Sequence, residues 1–169
     1  SNYVDGIINS SGNLNIFNSN FTENHVNLVA IINNFANNAF ITYSNFINNN
    51  GTNYGVINQD QGFLLLSFCE FINNNAKDYG VIYGTNSSNT IIVYTDFFNN
   101  KGKDNLTIES YNSTITSDYN WWGSNNNPEK FISNNVNVSK WVLMNLTTNE
   151  TNILSEDMKS ISFKKAIDR

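Results

Sequence analysis

Residues 54–75, YGVINQDQGFLLLSFCEFINNN, decide the fold of this chain. A small residue and two β-branched ones (Gly55, Val56, Ile57) lead into a turn, then an apolar run over 63–68, then Phe71 and a tract of Asn. The same parts recur in the same order on both sides. The first position of the unit falls at Gly6, Ala30, Gly55, Gly80 and Leu106, in steps of 24, 25, 25 and 26. The late aromatic falls at Phe21, Phe46, Phe71, Phe97 and Trp121, in steps of 25, 25, 26 and 24. A fixed period near 25 residues marks a repeat architecture, in which each unit buries its apolar face only by stacking on its neighbours.

Further columns appear once the repeats are aligned on the late aromatic. Five residues before it stand Ile16, Ile41, Leu66, Ile92 and Thr116; two before it stand Ser19, Ser44, Cys69, Thr95 and Tyr119. Immediately before it stand Asn20, Asn45, Glu70, Asp96 and Asn120, and three after it Asn24, Asn49, Asn74 and Asn100. The segments are short, β-branched and aromatic, with Asn, Gly and Ser between them, so they read as strands and turns. No segment keeps a 3.6-residue period over a dozen positions, and Asn is a poor helix former. Three short strands and three turns per unit predict an all-β chain: a right-handed parallel β-helix of about five coils, each about 4.8 Å above the last. The aligned aromatics, Phe21, Phe46, Phe71, Phe97 and Trp121, are then expected as a ladder inside the coil. A β-sandwich would not repeat identical positions at this period, and the Leu-x-x-Leu-x-Leu pattern of leucine-rich repeats is absent.

Asn makes up 37 of the 169 residues, while only 14% are charged, so amides take the place of ions. Asn tolerates the left-handed conformation of tight turns. Its amide both donates and accepts, so Asn stacked on Asn forms a ladder where a repeated charge would repel itself. The columns Asn49/Asn74/Asn100 and Asn48/Asn73/Asn99 are the candidates. The composition is 40% hydrophobic and 14% aromatic, which separates the chain from a disordered low-complexity tract. A net charge of -5, with Arg169 the single Arg, leaves no basic stripe for nucleic acid. No run of 18 apolar residues exists to span a membrane as a helix.

The pattern changes at 118–128, DYNWWGSNNNP, which holds adjacent Trp residues and the single Pro. Bulky rings followed by a Pro-terminated loop suit the closing edge of an array. This predicts a β-helix with a terminal Trp-Trp-Gly cap over 1–140 and a C-terminal extension over 141–169. Within the extension, 141–146 reads as a strand leaving the array, and 160–164 alternates like a strand, although Ser155-Glu156-Asp157 would also cap a short helix. The start inside a repeat reads as a monomeric segment of a larger chain.

Two resemblances rest on these residues. Gly-Val-Ile segments (Gly55–Ile57, Gly80–Ile82) paired with Phe-x-x-Asn (Phe21–Asn24, Phe46–Asn49, Phe71–Asn74, Phe97–Asn100) resemble the repeats of chlamydial polymorphic outer-membrane proteins. The stretch Asn-Trp-Trp-Gly-Ser-Asn-Asn-Asn-Pro at 120–128, with the Asn-rich, Arg-poor composition, is similar to the adhesin-like surface proteins of methanogenic archaea. The likeness implies a pectin-lyase-like right-handed β-helix on the cell surface, with immunoglobulin-like repeats after it, so that residues from Trp141 onward would begin such a domain. It implies no catalytic residue.

The chemistry of the side chains agrees with a non-catalytic protein. Uronic-acid lyases of this architecture resemble one another in using Arg or Lys, and the repeats hold no Arg. The Asp, His and Arg-Ile-Lys constellation of the galacturonan hydrolases is also missing. Glu70 and Asp96, on adjacent coils, are expected about 5 Å apart, near the separation of a retaining glycosidase. They read as a solvated pair, a cation site for Ca2+ (the one cofactor that the sequence suggests), or acid and nucleophile. Tyr43, Phe68 and Tyr94 share a column that is either an outer stack able to bind sugar rings or an inner corner. Cys69, without a partner for a disulfide, reads as a small inward residue, and His25 as an exposed turn residue. Nine Asn-x-Ser/Thr sites occur, near the number chance supplies at this composition.

The expectation is therefore an extracellular, adhesin-like segment presenting a lateral surface to a glycan or protein on a host or neighbouring cell. A carbohydrate-active β-helix enzyme and a purely structural spacer are the alternatives.

Overall fold

Strands of two to five residues cannot satisfy their own N–H and C=O groups, so each must pair with its copy one period away. In a computed structural model, which describes residues 3–4, 6–35, 37–146 and 163–167, this pairing is parallel throughout the repeats. The first face stacks Ile8–Ser10, Ile32–Phe35, Ile57–Asp60, Ile82–Thr85 and Ile108–Tyr111. The second stacks Leu14–Phe17, Ala39–Thr42, Phe63–Ser67, Asn89–Val93, Thr114–Thr116 and Val136–Asn137. The third stacks Asn20–Thr22, Asn45–Ile47, Glu70–Ile72 and Asp96–Phe98. The result is a parallel β-helix, with Ile57 opposite Ile32 and Ile82, and Phe71 opposite Phe46 and Phe97.

A fourth short strand, which the expected three-strand rung did not include, follows the third face in three successive coils, and Asn75 bridges Lys101 in the next. Tyr3–Val4, His25–Val26, Asn50–Gly51 and Asn75–Ala76 pair in register just after the Asn tracts. His25 lies here, half-buried opposite Asn50, and not in an exposed turn. Small residues let the following loop return close to this strand. Gly55 has φ +79, and a Cβ there would overlap the Gly80 carbonyl oxygen, so only glycine fits.

The interior holds aliphatic files on the first and second faces and a file of rings on the third. Ile32, Ile57, Ile82 and Ile108 line the first face, and Ile41, Leu66 and Ile92 the second, all essentially inaccessible. Phe21, Phe46, Phe71 and Phe97 stack with centroids 4.9, 4.6 and 5.5 Å apart. Such contacts add about 0.5–1.5 kcal/mol per pair beyond area burial. The next ring is Trp122, 4.8 Å from Phe97, and not Trp121. Trp121 bridges Asp96 on the half-buried outer column. Asn120 shifts with it: it is fully buried, and its Oδ1 accepts from the Thr95 N–H at 2.8 Å. Tyr119 likewise leaves the small inward column and joins Tyr94. One amide plug fills the position held by Ser or Thr above it, which places the ring one residue later than the step of 24 suggested.

The amides divide into two roles. Asn24, Asn49, Asn74 and Asn100 form the ladder, buried at Asn49 and Asn74, and the Nδ2 of each of the first three donates to the next Oδ1 at 2.9–3.0 Å. Each of these Oδ1 atoms also accepts the backbone N–H of the preceding Asn in the column. The same Nδ2 groups of Asn49, Asn74 and Asn100 reach back to the carbonyls of Phe21, Phe46 and Phe71. That contact explains the Phe-x-x-Asn spacing. Asn48, Asn73 and Asn99 are not ladder residues; they are exposed, with φ of 52 to 55, and make the corner.

The array does not stop at the Trp-Trp-Gly stretch expected to close it, since Val136–Asn137 still pairs with Thr114–Thr116. Pro128–Phe131 forms a 3-10 turn capped by Asn127, and Phe131 lies parallel to Trp122. A last partial coil continues through bridges Ile108–Ile132 and Asn120–Trp141. Val142–Leu146 then leaves it and pairs antiparallel with Phe163–Ile167. Asn125 pairs its amide with both backbone groups of Met144, covering part of that strand's edge. Of the strand expected over 160–164, Phe163 and Lys164 fall within Phe163–Ile167; residues 160–162 and the alternative cap at 155–157 lie outside the described residues.

Candidate functional site

Corners in which one residue turns the chain through the left-handed region place that side chain outward. The corner between the second and third faces uses Asn18, Tyr43, Phe68, Tyr94 and Tyr119, with φ of 48, 53, 53, 53 and 59. Asn suits this conformation; an aromatic L-residue carries a cost of about 1–2 kcal/mol there. Tyr43, Phe68 and Tyr94 are nonetheless 53, 48 and 45% exposed, so the column is an outer ridge and not an inner corner. Their rings stack on one another at 4.9 and 5.2 Å, with Tyr119 5.8 Å beyond Tyr94. Phe17 meets Tyr43 edge-on at 5.6 Å. The ring faces are therefore used within the ridge, and edges and phenol groups point to solvent. Beside it, Phe40, Leu65 and Ile91 project from the outer side of the second face.

Glu70 and Asp96 are paired on adjacent strands of the third face, Glu70 exposed and Asp96 half-buried. Their column runs Asn20, Asn45, Glu70, Asp96, Trp121. Ca2+ takes six to eight oxygens, and among the described residues no group of three or more His, Cys, Asp or Glu side chains gathers. Cys69 is buried in the small inward column, its Sγ donating to the Ser67 and Ile41 carbonyls. Burial pushes its thiol up to about 11.

A second aromatic site was not singled out in the sequence. The loops before the first face fold over it, laying Tyr54 and Tyr79 against Tyr83 with centroids 6.1 and 4.3 Å away. Beneath them the outward residues Asn33, Asn58 and Tyr83 are buried. The resulting groove has a volume of about 240 Å³ and opens to solvent, with Asp60 and Tyr111 also lining it. Burial raises the Tyr83 phenol above its usual range, opposed by a hydrogen bond with Thr85. The signal was present in the recurrence of Tyr-Gly-Val-Ile at 54–57 and 79–82. The return path of the loop, which makes the groove, has no such signature.

Among the described residues no helix is long and apolar enough to cross a membrane. Comparison with protein-family models, curated proteins and solved structures finds no match to this chain.

Proposed function

We propose that this chain is a non-catalytic segment of an extracellular, adhesin-like surface protein, whose solenoid presents a lateral surface to a glycan or protein on a neighbouring cell. The ridge of Tyr43, Phe68 and Tyr94 carries this reading. Aromatic side chains occupy a corner where Asn18 shows the cheaper choice, and half of each ring is left in water. Backbone strain kept at an exposed position motivates a functional reading. Phe40, Leu65 and Ile91 add a second apolar strip beside the ridge, set off from it by Thr42, Ser67 and Val93, and exposed apolar surface of this kind marks an interaction site. Coils stacked at a constant rise keep that strip stiff without further machinery.

The test replaces Tyr43, Phe68 and Tyr94 together by Asn, which the corner accommodates. Binding to whole cells and to a glycan array is then compared with the unchanged chain. Loss of binding with a preserved melting temperature supports the proposal; unchanged binding refutes it. Absence of binding by the unchanged chain favours a spacer. Polysaccharide cleavage that disappears in Glu70→Gln would replace the proposal by an enzyme using Glu70 and Asp96.

A further inference from the structure

We infer that the groove on the first face is a second binding site, separate from the ridge, and that it takes an extended neutral carbohydrate. The groove runs along the solenoid axis across four successive coils, from Asn33 through Asn58 and Tyr83 to Tyr111. That is about 15 Å at the usual strand spacing, room for a short oligosaccharide.

Its floor contains an unfinished amide ladder. Asn33 Nδ2 donates to Asn9 Oδ1 at 2.9 Å, and Asn58 Nδ2 to Asn33 Oδ1 at 3.3 Å. The next coil supplies Tyr83 where a further Asn would donate. Asn58 Oδ1 is left without a partner on a residue only 3% exposed. This acceptor is sealed beneath the tyrosines, so a sugar hydroxyl entering from the groove supplies its donor only as the Tyr54 or Tyr83 ring moves aside.

The walls restrict what can enter. Asp60 is the one ionised side chain among the lining residues, which include no Lys or Arg. Its Oδ1 accepts from Asn86 Nδ2 at 2.8 Å. The nearby Glu109 carboxylate is engaged by the Gly80 N–H at 2.7 Å. An anionic chain meets repulsion here, whereas a neutral one finds acceptors for its hydroxyls and rings for its C–H faces. Tyr111, 65% exposed, offers the freest ring. An extended peptide would seek unpaired strand edges, and the strands beneath the groove are bonded on both sides to neighbouring coils.

Calorimetric titration of the full chain with cello-, manno- and chitotetraose, and with tetragalacturonate, tests this. Saturable binding is expected for at least one neutral tetrasaccharide and not for tetragalacturonate. Tyr111→Ala and Asp60→Ala, both outside the core, should each weaken it at least tenfold at an unchanged melting temperature. Asn73→Gly, at an exposed corner outside both the groove and the ridge, should leave it unaltered. The inference is overturned if no neutral tetrasaccharide binds, if tetragalacturonate binds as tightly, or if both groove variants bind normally. Loss confined to Tyr43→Asn would overturn it while leaving the ridge reading intact.

Discussion

Asn73 and Asn74 are neighbours of identical chemistry, and the structure assigns them unequal weights. Asn74→Ala removes the donor to the Phe46 carbonyl at 2.7 Å and the acceptor of the Asn49 N–H at 3.0 Å. It also breaks the amide contacts to Asn49 and Asn100, both at 3.0 Å. Asn49 Nδ2 keeps the Phe21 carbonyl, and Asn100 Oδ1 keeps the residue-74 N–H. Two buried backbone groups therefore lose a partner, at about 1–3 kcal/mol each, or about 2–6 kcal/mol in all. Asn73 is exposed and holds φ 54, so Asn73→Ala adds only the left-handed cost of an ordinary side chain, about 1 kcal/mol. Urea unfolding of both variants, with the slope against denaturant checked for constancy, measures the difference. Equal losses, or a larger loss for Asn73→Ala, would refute the assignment of the buried ladder to the second Asn.

The other expectations concern the ring file, a glycine and the thiol. Trp122→Ala should cost about 3–5 kcal/mol and Trp121→Ala about 1 kcal/mol or less, both read from thermal or urea melts. Trp122→Phe should be close to neutral, because it extends the file and removes an indole N–H that is buried without a partner. Gly55→Ala combines a positive φ with overlap on the next coil's backbone and should lose about 2–5 kcal/mol. Cys69 should resist thiol reagents until the chain unfolds. Its ionisation is pushed from 9.0 to about 11 in the fold, so the unfolded thiol ionises first. The contribution of Cys69 is therefore constant below pH 9, falls between pH 9 and about 11, and levels off above; Cys69→Ser should reduce the alkaline fall in pH-dependent melts and leave the part that the raised Tyr83 phenol supplies.

The repeat was legible because its inward columns obey two simple demands, constant spacing and constant size, and Phe46, Phe71 and Phe97 meet both. The terminus misled because Trp121 and Trp122 are chemically alike, so the ring alone could not set the register. The polar neighbours could have done so: Thr95 to Asn120 and Tyr94 to Tyr119 each keep a step of 25 that points to Trp122. Amide burial is harder to read, since Asn73 and Asn74 differ only in which way the corner turns them. The ridge was recognised as a column, but its direction depended on the backbone conformation of a single corner residue. The groove escaped because it is made by loops folding back, and Asn58 is hidden by tyrosines from the preceding loops and not by its own strand.

The interior amides have a consequence for the evolution of length. Asn74 touches the coil before it through Phe46 and Asn49 and the coil after it through Asn100, and Asn49 repeats the same bonds one layer earlier. A duplicated unit of one whole period, inserted at such a seam, meets on both sides the contacts it carries within itself. A duplication out of phase would set an amide against a ring or a glycine against a side chain. Such a protein can be lengthened or shortened in whole coils by copying, with neither end redesigned.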